Sequence, residues 1–221
     1  MRRAYISPHI DLPESFDLAR VWAGGDKVTI IGPSTADIDA SPFLAKAGLP
    51  IGITGHRHTR YTARARTGVV IAWCLHLDEI LGIERESGLD GLVAVRGFEI
   101  HAPWITAHDA ELLDGEPVPQ VPEASSAIKA MVRGISQLVA VPNQGLIDPR
   151  ERSSAVHALV YMRSHGHQLI PEQLAVEAIR NEWPGKSPLD LADLAKQLNA
   201  GKQLRYDKRL SSTVLAEWAA S

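Results

Sequence analysis

The residues best equipped for chemistry lie in one stretch, Gly55-His56-Arg57-His58-Thr59-Arg60-Tyr61-Thr62-Ala63-Arg64-Ala65-Arg66. Four arginines and two histidines occupy eleven consecutive positions there, in a half of the chain that is otherwise acidic. Guanidinium groups gathered in one place suit an anion, so Arg57, Arg60, Arg64 and Arg66 are the candidates for holding a phosphorylated, nucleotide-like ligand. Imidazole titrates near neutral pH, which makes His56 and His58 the candidate general acid or base. The reaction would be hydrolysis or transfer of a phosphate or glycosyl group. The plain alternative is a solvated loop whose arginines pair with nearby acids.

Upstream, Gly32-Pro33-Ser34-Thr35-Ala36-Asp37-Ile38-Asp39 forms a polar turn after a β-branched run. Ser34 and Thr35 could present hydroxyls and backbone N–H groups to a phosphate. The turn is no P-loop, because the Gly-Lys-Ser/Thr ending is absent, and no dinucleotide glycine fingerprint occurs. Asp37 and Asp39 could hold a divalent metal such as Mg²⁺ or Mn²⁺, together with the same histidines. The simpler reading of the two carboxylates is an Asx-turn or a cap for the next helix.

Gly55-His56-Arg57-His58 resembles, over four residues, the Gly-His-X-His motif of calcineurin-like metallophosphoesterases, which implies His56 or His58 as a metal ligand. That family's Asp-X-His, Gly-Asp and Asn-His blocks have no counterparts here in matching order and spacing, so the likeness is local. His101 and His108 could meet at a metal only if the chain turns between them. His165-Gly166-His167 reads as a cationic cap on the helix before it.

A different signal lies near the end. Lys202-Gln203-Leu204-Arg205-Tyr206-Asp207-Lys208-Arg209 carries four basic residues of eight, after an amphipathic helix and a glycine turn. Lys202, Arg205, Lys208 and Arg209 are thus the candidates for the second function class, a nucleic-acid-binding or regulatory protein. A third class is a partner-binding protein with Trp104 and the proline-rich stretch exposed.

These residues need elements to position them. Strand-like runs cover Ala4–Ser7, Lys27–Ile31, Pro50–Thr54 and Leu92–Val95, with helical segments between them. A capped helix starts at Asp11-Leu12-Pro13-Glu14 and stops at Gly24-Gly25. The alternation implies an α/β fold with a small, mainly parallel, Rossmann-like sheet of about four strands. From Thr67 onward, Val69, Val70, Ile71, Trp73, Cys74, Leu75, Leu77, Ile80 and Leu81 read as a helix apolar on nearly every face, hence buried. Its acids, Asp78, Glu79, Glu84 and Glu86, would crowd its end and Arg64 and Arg66 its start, so the start would be an anion site. Thr106 is the expected cap of a short helix ending at Gly115.

The expected organisation is a ligand-binding domain over 1–115, a proline-rich linker over 116–123 and a helical domain over 124–221. Its helices are expected near 124–140, 149–164, 171–183, 187–199 and 208–220. The formal net charge of −3 argues against a wholly basic nucleic-acid binder. Residues 1–115 carry 11 basic against 15 acidic side chains, and 116–221 carry 12 against 11, too small a split to imply separate partners. One cysteine, Cys74, leaves no intrachain disulfide and reads as an inert core thiol. No run approaches a membrane span and no apolar leader opens the chain, so the expected location is the cytoplasm, with no membrane partner.

Overall fold

The computed structural model describes residues 1–25, 27–54, 68–85, 88–138 and 146–221. The chain divides into two compact units, Met1–Gln120 and Val121–Ser221.

The first unit is built on six parallel strands: β1 (Arg2–Tyr5), β2 (Val28–Gly32), β3 (Ile51–Ile53), β4 (Gly68–Trp73), β5 (Leu89–Val95) and β6 (Glu111–Leu112). Their order across the sheet is β3-β2-β4-β5-β1-β6. The α/β class and the parallel sheet expected from sequence are present, with two more strands than the four expected. Helices α1 (Leu12–Ala23), α2 (Thr35–Asp39), α3 (Pro42–Lys46), α4 (Leu77–Glu84) and α5 (Ala102–His108) connect them. Asp11 caps α1, its carboxylate accepting from the Glu14 N–H at 2.8 Å.

The largest correction concerns the run after Thr67. It is not a helix but strand β4, followed by the shorter helix α4. Val69, Val70 and Ile71 are β-branched and suit an extended backbone. β4 lies between β2 and β5, and all six of its residues are buried. A strand covered on both faces reads as a continuous apolar run, the same pattern as an enclosed helix. The expected burial of Val70, Trp73 and Leu77 holds, at 1%, 1% and 4% exposure. The charges now run the favourable way. Asp78 and Glu79 lie in the first turn of α4, where acids favour the macrodipole. Arg64 and Arg66 precede a strand rather than a helix start.

The strands bury side chains alternately on two faces. Ala4, Ile6, Ile30, Ile71, Trp73, Val93 and Val95 form one core with Phe16, Ala19 and Leu44. Trp73 meets the Phe16 and Phe43 rings edge-on, with centroids 6.3 and 5.7 Å apart. At the start of β4, Gly68 has φ 104°, and a Cβ there would stand 2.1 Å from the Lys27 carbonyl oxygen. Two further expectations fail. Trp104 is fully buried rather than exposed. The helix before Gly115 starts at Ala102, not Thr106, and ends at Asp109 in the left-handed region (φ 49°), after which the chain forms β6.

The second unit is helical: α6 (Ser126–Ser136), α7 (Pro149–Ser164), α8 (Pro171–Arg180), α9 (Ser187–Asn199) and α10 (Ser212–Ala220). Met131, Ile135, Leu159, Met162, Leu174, Leu191 and Leu198 lie in one core. The α6 and α10 helices approach closely at Gly134, where a Cβ would stand 2.1 Å from the Trp218 ring. No described helix is long and apolar enough to cross a membrane.

Candidate functional site

In a parallel sheet all strands end at one edge, and ligands favour the point where neighbouring strands send their connections opposite ways. Here one such point lies between β2 and β4, and the neighbours β5 and β1 form a second. The chain leaves β2 toward β3 on one side, and leaves β4 toward β5 on the other. Ser34 follows β2, Thr54 follows β3, Cys74 and His76 follow β4, and Arg96 follows β5.

Two adjacent exits are strained. Trp73 and Val95 are register partners at the ends of β4 and β5. The next residues, Cys74 and Arg96, have φ of 55° and 60°. A non-glycine residue in the left-handed region costs on the order of 1–3 kcal/mol and marks sites where the surrounding fold enforces it. Arg96 is half-buried. Its Nε is buried without a hydrogen-bond partner, and it pairs with no carboxylate among the described residues. Burial pushes the Cys74 thiol up, the Arg96 charge opposes that, and Asp37 adds to it. The thiol is therefore no ready nucleophile at neutral pH.

Across the β2 and β4 exits runs a hydrogen-bonded chain. The buried Thr54 donates its hydroxyl to Glu79 Oε1, and its N–H donates to the Gly32 carbonyl at 2.9 Å. The other Glu79 oxygen accepts from the His76 N–H at 2.8 Å. Glu79 thus ties the start of α4 to the end of β3.

Ser34 caps α2. Its hydroxyl accepts from the Asp37 N–H at 3.2 Å and also donates to the Asp37 carboxylate. Asp37 therefore serves locally, as the cap reading expects, while Thr35, Asp37 and Asp39 face solvent. Among the described residues no group of three or more His, Cys, Asp or Glu could hold a metal. His56, His58, Arg57, Arg60, Arg64 and Arg66 lie outside the described residues. His101 is not available as a metal ligand. Its Nδ1 accepts from the Phe98 N–H and its Nε2 meets the Leu75 carbonyl, both at 2.9 Å. His108 Nε2 lies 3.3 Å from Glu84, which also accepts from Arg3 at 2.7 Å, an ion-pair group that ties α5 and β1 to α4.

The basic segment of the second unit is irregular rather than helical, and α10 begins at Ser212. Lys202, Arg205, Lys208 and Arg209 are all exposed. Leu204, Tyr206 and Leu210 pack inward against the helical core. Tyr206 stacks on His157 at 5.4 Å, and the Leu210 N–H donates to His157 Nδ1 at 3.3 Å.

Sequence reasoning passed over Cys74, His76 and Glu79 because it read 67–83 as one helix, with no strand exit inside it. Arg96 was legible as a strand exit, but the absence of a carboxylate beside it is a property of the packing.

Fold and edge together define an α/β protein with a parallel sheet whose strands all end at one edge, followed by a helical unit. Residues 126–219, under half of the chain and all within the helical unit, are similar to a family described as a domain of unknown function (DUF1889). No curated protein and no solved structure matches the chain.

Proposed function

We propose that the sheet unit binds a phosphorylated, nucleotide-like small molecule at the carboxyl edge of its strands. One observation carries this reading: Arg96 stands at a strand exit in a strained backbone, with a buried Nε that meets no acceptor among the described residues. An arginine fork suits phosphate oxygens in both charge and geometry. Ser34 and Thr35, which follow β2 two strands away from Arg96, would supply hydroxyls. Arg57, Arg60, Arg64 and Arg66 follow β3 in the sequence and would add positive charge, with His56 or His58 as acid or base in a hydrolase or transferase reaction.

Thermal melts with phosphate and a nucleotide panel test the reading. Ligand at about 100 times its dissociation constant should add roughly 2.7 kcal/mol of stability. In Arg96→Ala, and in Arg60→Ala and Arg64→Ala, that gain should shrink. No ligand-dependent shift in the unaltered protein removes the site.

A second reading rests on the exposed basic strap at 202–209, which nucleic-acid phosphates would fit. Leu204, Tyr206 and Leu210 hold the strap, and only Arg209 lies near a described carboxylate, Asp207 at 4.0 Å. Retardation of DNA or RNA on a gel at low salt, weakening steeply as salt rises, is the expected result. A complete lack of retardation ends this reading.

A further inference from the structure

The same sheet edge carries a second recess. Residues Ser7 to His9 after β1, Gly97 to Ile100 after β5 and Glu116 to Pro119 beyond β6 line an open cavity of about 810 Å³. Small-molecule sites commonly run from about 300 to 1,000 Å³. Two large apolar side chains on its wall, Phe98 and Ile100, are 44% and 52% exposed, more than a side chain committed to the core would be.

Phe98 is held in place. Its N–H donates to His101 Nδ1, and its ring stacks on His101 with centroids 6.4 Å apart. Since Nδ1 accepts, the His101 proton sits on Nε2 and is donated to the Leu75 carbonyl. An aromatic face fixed in this way is a platform for a flat ring.

The edge is also electrically divided. Glu99 and Glu116 line the cavity together with His9, whereas Arg96, immediately before Gly97, lies outside its lining and places its charge near Cys74. A ligand spanning both would carry hydrogen-bond donors at one end and negative charge at the other. Ionised carboxylates only accept hydrogen bonds. They favour a base edge made of N–H donors and disfavour one made of carbonyls.

We propose that this cavity takes the base of a nucleotide whose phosphate lies against Arg96, with the ring on Phe98 and an N–H donor edge on Glu99 or Glu116. Guanine, with its ring N–H beside an exocyclic amine, is the base that fits best. The phosphate end rests on the function proposed above; the base end stands on the cavity alone.

Titration calorimetry of the full chain separates the two. The probes are inorganic phosphate, guanosine, GMP and UMP. GMP should bind at least about tenfold tighter than phosphate or UMP, and guanosine should bind without any phosphate. Phe98→Ala should weaken GMP and guanosine by about tenfold, the scale of one lost base-stacking contact. It should leave phosphate binding unchanged. Arg96→Ala should do the opposite, abolishing phosphate binding and sparing guanosine. The Glu99→Gln, Glu116→Gln double variant should narrow the gap between GMP and UMP.

If GMP binds no tighter than phosphate and Phe98→Ala changes nothing, the base cavity is overturned while the anion site stands. If guanosine binds through Phe98 but phosphate does not bind, the cavity stands and the anion site falls. If no probe binds, both are wrong.

Discussion

In the sheet unit, Cys74 and Arg96 hold left-handed backbone side by side at two strand exits. In the helical unit the corresponding residue is Glu182, with φ 59°, just past the end of α8. Glu182 has a plain structural reason. Its N–H donates to the Ile179 carbonyl and that of Trp183 to Ala178, which closes the helix end. Asp109 closes α5 in the sheet unit in the same manner. Cys74 and Arg96 close no helix. Their left-handed backbone lies at the carboxyl edge of the sheet, where Ile6, just past the neighbouring β1, donates to the Ala94 carbonyl at 3.0 Å and accepts from the Gly97 N–H at 2.7 Å. Under the proposed function it holds Arg96 toward the ligand.

The polar side chains of the two units are tied differently. In the helical unit the buried Trp183 donates to Ser136 at 2.7 Å and the buried Gln173 to the Glu123 carbonyl at 3.2 Å, and the exposed Asn199 donates to the Leu169 carbonyl at 2.8 Å. Each bond ties one helix or its end to another segment. At the sheet edge Thr54, Glu79 and His76 are tied together, whereas the Nε of Arg96, whose charge acts on Cys74, has no hydrogen-bond partner among the described residues. The helical unit resembles a family and its polar bonds hold the fold. The sheet unit matches no curated protein and no solved structure, and its Arg96 Nε has no hydrogen-bond partner among the described residues.

The largest expected effect sets the two cores apart. Trp73→Ala should lower stability by about 3–5 kcal/mol in chemical denaturation, the usual range for truncating a buried aromatic. The ring lies between Phe16 and Phe43 at 1% exposure, with little room to collapse. A loss below about 1 kcal/mol would remove β4 from the centre of the sheet.

The matching test in the helical unit is Gly134→Val. Its Cβ would enter the Trp218 ring, so α10 must shift. Overpacking of this kind costs about 1–3 kcal/mol. Adding Trp218→Ala should recover most of that loss, and failure to recover would mean the two helices do not meet at Gly134.

Acid should distinguish the units next. Burial alone would push the Glu84 carboxyl up, but hydrogen bonds and charge from His108 and Arg3 hold it below its ordinary 4.5. Glu123, in the helical unit, is held down to about 2 by hydrogen bonds from Arg180 and Lys129. A carboxyl lowered in the folded state contributes stability in full above its unfolded pKa and loses it as pH falls through the folded value. Glu84→Gln and Glu123→Gln should therefore reduce stability at neutral pH, and the difference from the unaltered protein should fade in acid. Because Glu123 is 58% exposed, 1 M salt should erase its effect, while that of Glu84, 12% exposed, should persist. Equal salt sensitivity would mean the Glu84 group is as open as the surface pair.

These contrasts track what the sequence made legible. The helical half was readable almost throughout, because each helix advertises its ends. Pro149, Pro171 and Pro188 stand in first turns, and Ser211 caps α10 by accepting from the Val214 N–H at 3.2 Å. β1, α1 and β2 were legible for the same kind of reason: short patterned runs bounded by Asp11 and Gly24. β4 was not, since a strand buried on both faces has no alternation to display. β6 has only two residues, paired with Ala4 and Tyr5, and no pattern can mark so short a strand. The proposed site inherits the error at β4. Its strained pair depends on which strands lie side by side, and that order is a property of the folded sheet.

The smallest effect is the most telling. Glycine adopts the left-handed region without the cost of roughly 1–2 kcal/mol that other residues meet, though it gives up about 0.5–1 kcal/mol in chain entropy. Arg96→Gly and Glu182→Gly should each leave stability unchanged or raise it by up to about 1 kcal/mol in urea. So far the two positions behave alike. With phosphate or GMP present they should part: Glu182→Gly keeps the ligand-dependent gain, and Arg96→Gly loses it. Relief of strain together with loss of binding is what a residue held for a ligand shows. If Arg96→Gly instead loses more than about 1 kcal/mol without ligand, its side chain supports the fold. Arg96 would then be an architectural residue like Glu182, and the proposed site would have no anchor for an anion.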